Sequence, residues 1–177
     1  MDPAAGFRIV RAIAAAYGRL LRGLAVIAGI MMAAIVVMIV FDVTVRNLGF
    51  QPPPHTLALT EYGLLYITML SAPWLVRTRG HVYIEMVTAA VPPRVRAIMA
   101  KIVYAICLAT SVVLFLYSAE VTLINYQRQV MDIRSFDMPR WVLFASMPVG
   151  FLLMGIEFGR YLFGRATMYT GEAGIHE

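Results

Sequence analysis

Residues 23–41 read GLAVIAGIMMAAIVVMIVF, nineteen positions without one charged side chain. At 1.5 Å rise per residue that run is about 28 Å long as a helix, close to the thickness of a bilayer's hydrocarbon core. A helix in a water-soluble protein interrupts its apolar stripe with polar residues every third or fourth position. This run has no such interruption, so it predicts a membrane span, continuing to about residue 45. A secretory leader has a shorter apolar core followed by a small-residue cleavage site, whereas Asp42, Val43, Thr44, Val45 and Arg46 follow here. The segment is expected to be an uncleaved anchor.

The rest of the chain has the same character. It is 60% hydrophobic and 14% charged, with mean hydropathy +0.75, where a soluble domain carries about a quarter charged residues. Three further apolar stretches follow, near residues 57–76, 98–124 and 141–163. The second has Glu61 near its start and ends at Arg77-Thr78-Arg79-Gly80, the third has Lys101 and Glu120 toward its two ends, and the fourth is framed by Trp141 and Tyr161, side chains suited to bilayer interfaces. The expected fold class is an all-α integral membrane protein with four transmembrane helices. In 177 residues this leaves no room for a large extramembrane catalytic domain.

The charge of +5 does not point to nucleic acid. Arg8, Arg11, Arg19 and Arg22 precede the first span, Arg77, Arg79, Arg94, Arg96 and Lys101 fall between spans two and three, and Arg160 and Arg165 close the fourth. Only Arg46, Arg128, Arg134 and Arg140 fall on the other side. Eleven cations against four place both termini in the cytoplasm by the positive-inside rule.

The connecting pieces carry expectations of their own. Residues 1–22 space their arginines helically opposite Ile9, Val10, Ile13, Tyr17, Leu20 and Leu21, the pattern of a basic amphipathic helix on an anionic membrane surface. HVYIEMVTAAV, residues 81–91, is too short to span and is stopped by Pro92-Pro93, so an interfacial helix is expected there. Pro52-Pro53-Pro54 favours an extended link between the first two spans. Residues 164–177 are expected to form a cytoplasmic tail.

Little here carries chemistry. The single cysteine, Cys107, sits in an apolar run, so neither an intrachain disulfide nor a cysteine-built metal site is available. His55, His81 and His176 all lie outside the spans, which removes the axial ligands a membrane haem needs. No metal or cofactor is expected, and no catalysis. His81 and Glu85, four residues apart, suit a polar pair on the interfacial helix. Acidic residues in spans are costly unless paired; Asp42 faces Arg46 one turn on, Glu157 has Arg160 three residues on, Glu120 lies toward the outer end of span three, and Glu61 is placed to meet Arg46 or a partner. Small residues at Ala25, Gly29 and Ala33 and a GxxxG at Gly155 and Gly159 offer close-approach stripes for helices of this chain or another.

Taken in order, the motifs resemble one family. Arg46 follows span one, Thr60-Glu61-Tyr62 opens span two, SAPWLVRTRGHVYIEMV covers residues 71–87, Pro92 or Pro93 with Arg94 and Arg96 precedes span three, and SFDMPRWVLFASMPVG covers residues 135–150. Over about residues 40–160 this is similar to the DctQ-type small membrane subunit of tripartite ATP-independent periplasmic (TRAP) transporters. The chain departs from the family's pattern at Ser71-Ala72-Pro73, where a glycine is common, and at Thr60, where a second acidic residue is common.

The resemblance implies a bacterial inner-membrane, multi-pass, non-catalytic subunit. It would brace the scaffold of a large elevator-type permease (DctM-type), and a periplasmic substrate-binding protein would deliver an organic acid whose uptake is driven by an ion gradient, sodium by the family's habit. It directs attention to Arg46, Glu61, Trp74, Arg77, His81, Glu85, Pro139, Trp141, Pro148 and Gly150 as partner-interface or structural positions, and to Arg134 and Arg140 as candidates for periplasmic docking. Two other readings fit the composition: a membrane anchor of a quinone-linked redox enzyme, and a stand-alone small dimeric transporter. The orientation has a direct test. A phosphatase reporter that folds only outside the cytoplasm is expected to be active when fused after Gly49 and inactive when fused after Phe163; the reverse pattern overturns the topology.

Overall fold

The computed structural model describes residues 3–51, 55–78, 92–132 and 138–164. The expected interfacial helix, with His81 and Glu85, the triple proline, Arg134 and the tail beyond Gly164 lie outside the described residues. Four helices carry the fold: α1 (Pro3–Asn47), α2 (Thr56–Arg77), α3 (Pro93–Arg128) and α4 (Arg140–Phe163), with two-residue strands β1 (Met131–Asp132) and β2 (Met138–Pro139) between α3 and α4. The strands pair antiparallel, Met131 opposite Pro139 and Asp132 opposite Met138. Among the described residues this small hairpin is the departure from an all-helical fold, and its two-residue arms left no alternation in the sequence to read.

The helices start and stop where the local chemistry allows. α3 begins on Pro93, whose fixed φ and missing N–H suit a first turn, and ends at Gln129, which adopts a left-handed φ of 47°. α1 runs unbroken through 45 residues. The amphipathic segment and the first span, expected to part near residue 22, are therefore one helix, because no proline interrupts them and a lone Gly23 costs too little to break a helix.

Among the described residues three helices, α1 over Ala12–Asn47, α3 over Ala97–Arg128 and α4, are long and apolar enough to cross a membrane. α2 has the length, 22 residues, or about 33 Å, but falls short of them in hydropathy because Thr60, Glu61, Tyr62, Tyr66, Thr68 and Ser71 dilute its apolar residues. Its position explains why that is tolerated. α1 packs on α2, α2 on α4, and α4 on α3, so the helices form a row in the order α1, α2, α4, α3, with α2 inside it. Thr60 and Thr68 donate to the carbonyls of Thr56 and Leu64, both at 2.8 Å, and the Tyr66 hydroxyl donates to the Val142 carbonyl of α4.

The α1–α2 seam repeats every seven residues, the spacing of a coiled-coil contact. Leu21, Ala28 and Ile35 are buried, and Met31 and Met38 pack with Ile67 and Leu70 of α2. The Ala25-Gly29-Ala33 stripe only grazes this seam: Ala33 is exposed, and a Cβ on Gly29 would meet nothing within 4 Å. The GxxxG of α4 does face a helix of this chain, for Cβ atoms on Gly155 and Gly159 would stand 3.7 Å from Ser111 and 4.0 Å from Leu108 of α3. A core of Val76, Ala100, Tyr104, Phe158 and Tyr161 closes the end of the row where α2 finishes.

The tightest approach is between α2 and α4. A Cβ on Gly150 would lie 2.9 Å from the Met69 carbonyl oxygen. That carbonyl is four residues before Pro73, which has no N–H to return to it. The proline thus frees an acceptor, and glycine's lack of a side chain lets α4 close over it. Gly150→Ala must push backbone apart and is expected to cost about 1–3 kcal/mol, whereas Gly29→Ala should be neutral or slightly stabilising; thermal unfolding of the two variants in detergent compares them directly.

Candidate functional site

At the end of the row where α2 and α4 finish, the Glu157 carboxylate is fully buried. It faces two guanidinium groups: Arg77 of α2 at 3.3 Å and Arg160, one turn along α4, at 3.2 Å. A lone carboxylate in such surroundings is costly, and two hydrogen-bonding cations offset that cost. Arg77 also lies over the Tyr17 ring, 5.7 Å from its centre, and the Tyr17 hydroxyl donates to the Leu153 carbonyl at 3.2 Å. α1 thereby joins the cluster. Gly18 leaves the room, since a Cβ there would stand 2.6 Å from the Arg77 guanidinium.

Tyr161 completes this end. Its hydroxyl donates to the carbonyls of Val76 and Arg77, at 3.3 and 3.0 Å, which as the last of α2 lack helical partners. Its ring lies 5.7 Å from that of Tyr104 on α3 and under Arg160 at 5.5 Å. One turn back on α2, Trp74 lies under the Arg22 guanidinium at 5.6 Å. All four helices are therefore linked at one level by aromatic rings and arginines.

The opposite end is held by the hairpin. Buried Asp132 accepts a hydrogen bond from the Tyr62 hydroxyl of α2 and lies 3.9 Å from the half-exposed Arg140 guanidinium. Glu61, Tyr62, Asp132 and Arg140 line a small open pocket with Leu65, Leu143 and Phe144. Tyr126 and Trp141 meet edge to face, with centres 5.5 Å apart. Arg46 of α1 forms its ion pair with Asp42, at 3.0 Å.

The sequence-chosen residues thus divide. Trp74 and Arg77 belong to the first cluster; Glu61 and Arg140 share the pocket of the second, beside Pro139 of β2 and Trp141. Gly150 marks the α2–α4 approach, with Pro148 inside α4 two residues before it, and Arg46 is exposed and paired locally. Sequence reasoning found the Glu157 to Arg160 pair from its spacing, but not Arg77, which is 80 residues away. It also passed over the roles of Tyr17, Tyr62, Tyr66, Tyr161 and Asp132. The available signal was an excess of tyrosine on otherwise apolar faces, since a buried hydroxyl needs an acceptor.

Chemically these clusters clamp helices. Among the described residues no group of three His, Cys, Asp or Glu side chains is placed to hold a metal, and the carboxylates of the two clusters are engaged by arginine or tyrosine.

The family model for tripartite ATP-independent periplasmic transporters, DctQ component, matches residues 35–168, about three quarters of the chain. No curated protein matches it.

The clamp can be tested by unpairing it. Arg77→Leu leaves a buried carboxylate with half its partners and is expected to cost about 3 kcal/mol. The double variant Arg77→Leu, Glu157→Leu should recover at least half of that loss. Unfolding midpoints in detergent check both values.

Proposed function

Since the chain belongs to the DctQ component family of tripartite ATP-independent periplasmic transporters, as a multi-pass small membrane subunit, we propose that it acts as a static brace for the large permease of an organic-acid importer driven by an ion gradient, sodium in the first instance. α2 crosses the bilayer with the other three helices, both termini lie in the cytoplasm of a bacterium, and the hairpin end faces the periplasm. The permease, of DctM type, carries the substrate. This chain widens the fixed part against which the moving part slides.

The observation that carries this reading is where the polar groups sit. Glu157, Arg77 and Arg160 cluster at one end of the row and Tyr62, Asp132 and Arg140 at the other, both locking helix to helix, while the middle is held by apolar seams and the Gly150 contact. A substrate path would need convergent polar groups near the bilayer centre, often on broken helices. A row of helices tied at both ends is suited to bearing lateral force without changing shape. Arg134 and Arg140 are the candidate contacts for an acidic face of the substrate-binding protein, Arg140 with part of its charge already directed to Asp132.

Tagged at its C-terminus and extracted in mild detergent from native membranes, the chain is expected to bring down a polytopic permease in near-equal amount. A soluble redox subunit in its place, or the chain alone as a dimer, overturns the proposal.

A further inference from the structure

The two aromatic pairs of α3 calibrate depth along it. Tyr104 meets Tyr161 near one end and Tyr126 meets Trp141 near the other. The 22 residues between Tyr104 and Tyr126 measure about 33 Å, the thickness of a hydrocarbon core. On this scale Glu120 sits about 9 Å and Tyr117 about 14 Å inside the Tyr126 level. Both project from the face of α3 opposite α4: their neighbours toward the row, Ser118 and Ser111, are buried, whereas Tyr117 is 66% and Leu116 60% exposed, and Glu120 is exposed too.

Neither group is satisfied among the described residues. The Glu120 carboxylate has no ion pair or hydrogen bond among the described residues, and the Tyr117 hydroxyl has no hydrogen bond there, although Asp42, Glu61, Asp132 and Glu157 all have partners. Escape to the interface is also hindered. Side chains on a helix lean toward its N-terminus, and α3 starts at the end far from Tyr126, so Glu120 leans deeper into the slab. A carboxylate facing lipid at that depth is costly; one facing a cation on a neighbouring helix is not.

We propose that this outward face of α3 is a docking site for a transmembrane helix of the permease. That helix presents an arginine or lysine to Glu120 and a hydrogen-bond partner to Tyr117, and packs its apolar side against Val113, Leu116 and Leu123. The inference rests on the brace reading for the existence of the permease and adds where the permease binds. It also separates the two flanks of the row: the exposed α1 face around Ile30, Ala33, Val37 and Phe41 is apolar, as a lipid-facing surface is, and carries no comparable unsatisfied charge.

A photo-cross-linking amino acid placed at Leu116 in the full chain, irradiated in native membranes, tests this. The expected adduct is a permease peptide with Arg or Lys within about one helical turn of the cross-link. Glu120→Gln is expected to weaken co-purification of the permease roughly tenfold, and Glu120→Lys to abolish it unless the cross-linked cation is changed to Glu. Adducts with lipid alone or with a second copy of this chain, or full recovery of the permease with Glu120→Gln, overturn the docking site while leaving the brace intact. Failure of the unaltered chain to recover any permease overturns the brace reading itself.

Discussion

A carboxylate that no water reaches sets the terms for this fold. Glu157 is buried completely, and in a medium of low dielectric constant its charge is tolerable only with cations in contact. One comes from its own helix. The other, Arg77, is the last residue of α2, so the pair forms only when α2 ends level with Glu157 and on its side. The register of α2 against α4 follows from that requirement, and Tyr17 extends it to α1 by taking the outer face of the same guanidinium.

Two further contacts keep α2 from pivoting about that end. Near its middle, Pro73 leaves the Met69 carbonyl without a helical donor and Gly150 brings α4 down on it. At its start, Tyr62 reaches Asp132 in the hairpin. Contacts at three levels thus hold α2, which is not among the three helices apolar enough to cross a membrane by composition alone, inside the row. The Tyr62 and Tyr66 hydroxyls find acceptors on neighbouring elements there that lipid would not supply, while those of Thr60, Thr68 and Ser71 bond to carbonyls of their own helix.

The outer helices differ in consequence. α1 has an exposed apolar face around Ile30, Val37 and Phe41, and its Asp42–Arg46 charge pair closes on itself. α3 offers a surface on which the Glu120 carboxylate and the Tyr117 phenol have no polar partner among the described residues. The brace we propose needs one flank for lipid and one for the permease, and the distribution of polar groups among the described residues of α1 and α3 accords with that division.

Much of this was legible before any coordinates. Uninterrupted apolar length made α4 readable nearly to the residue and the apolar stretches within α1 and α3 readable as spans, because a chain in hydrocarbon must satisfy its own backbone and only helices of a certain length do so, but it did not show that α1 begins at Pro3 or α3 at Pro93. Ordered short motifs identified the family. The pair of Glu157 with Arg160 was readable because it is local, one turn apart. Tertiary structure alone decided that Arg77 joins them from 80 residues away, that the GxxxG of α4 serves α3 rather than another protein, that the amphipathic segment continues into the first span, and that Glu120 points outward. Periodicity along one helix says which residues share a face; which neighbour that face meets depends on the order of helices in the row, and that order is set by packing and charge pairing between segments far apart in the chain.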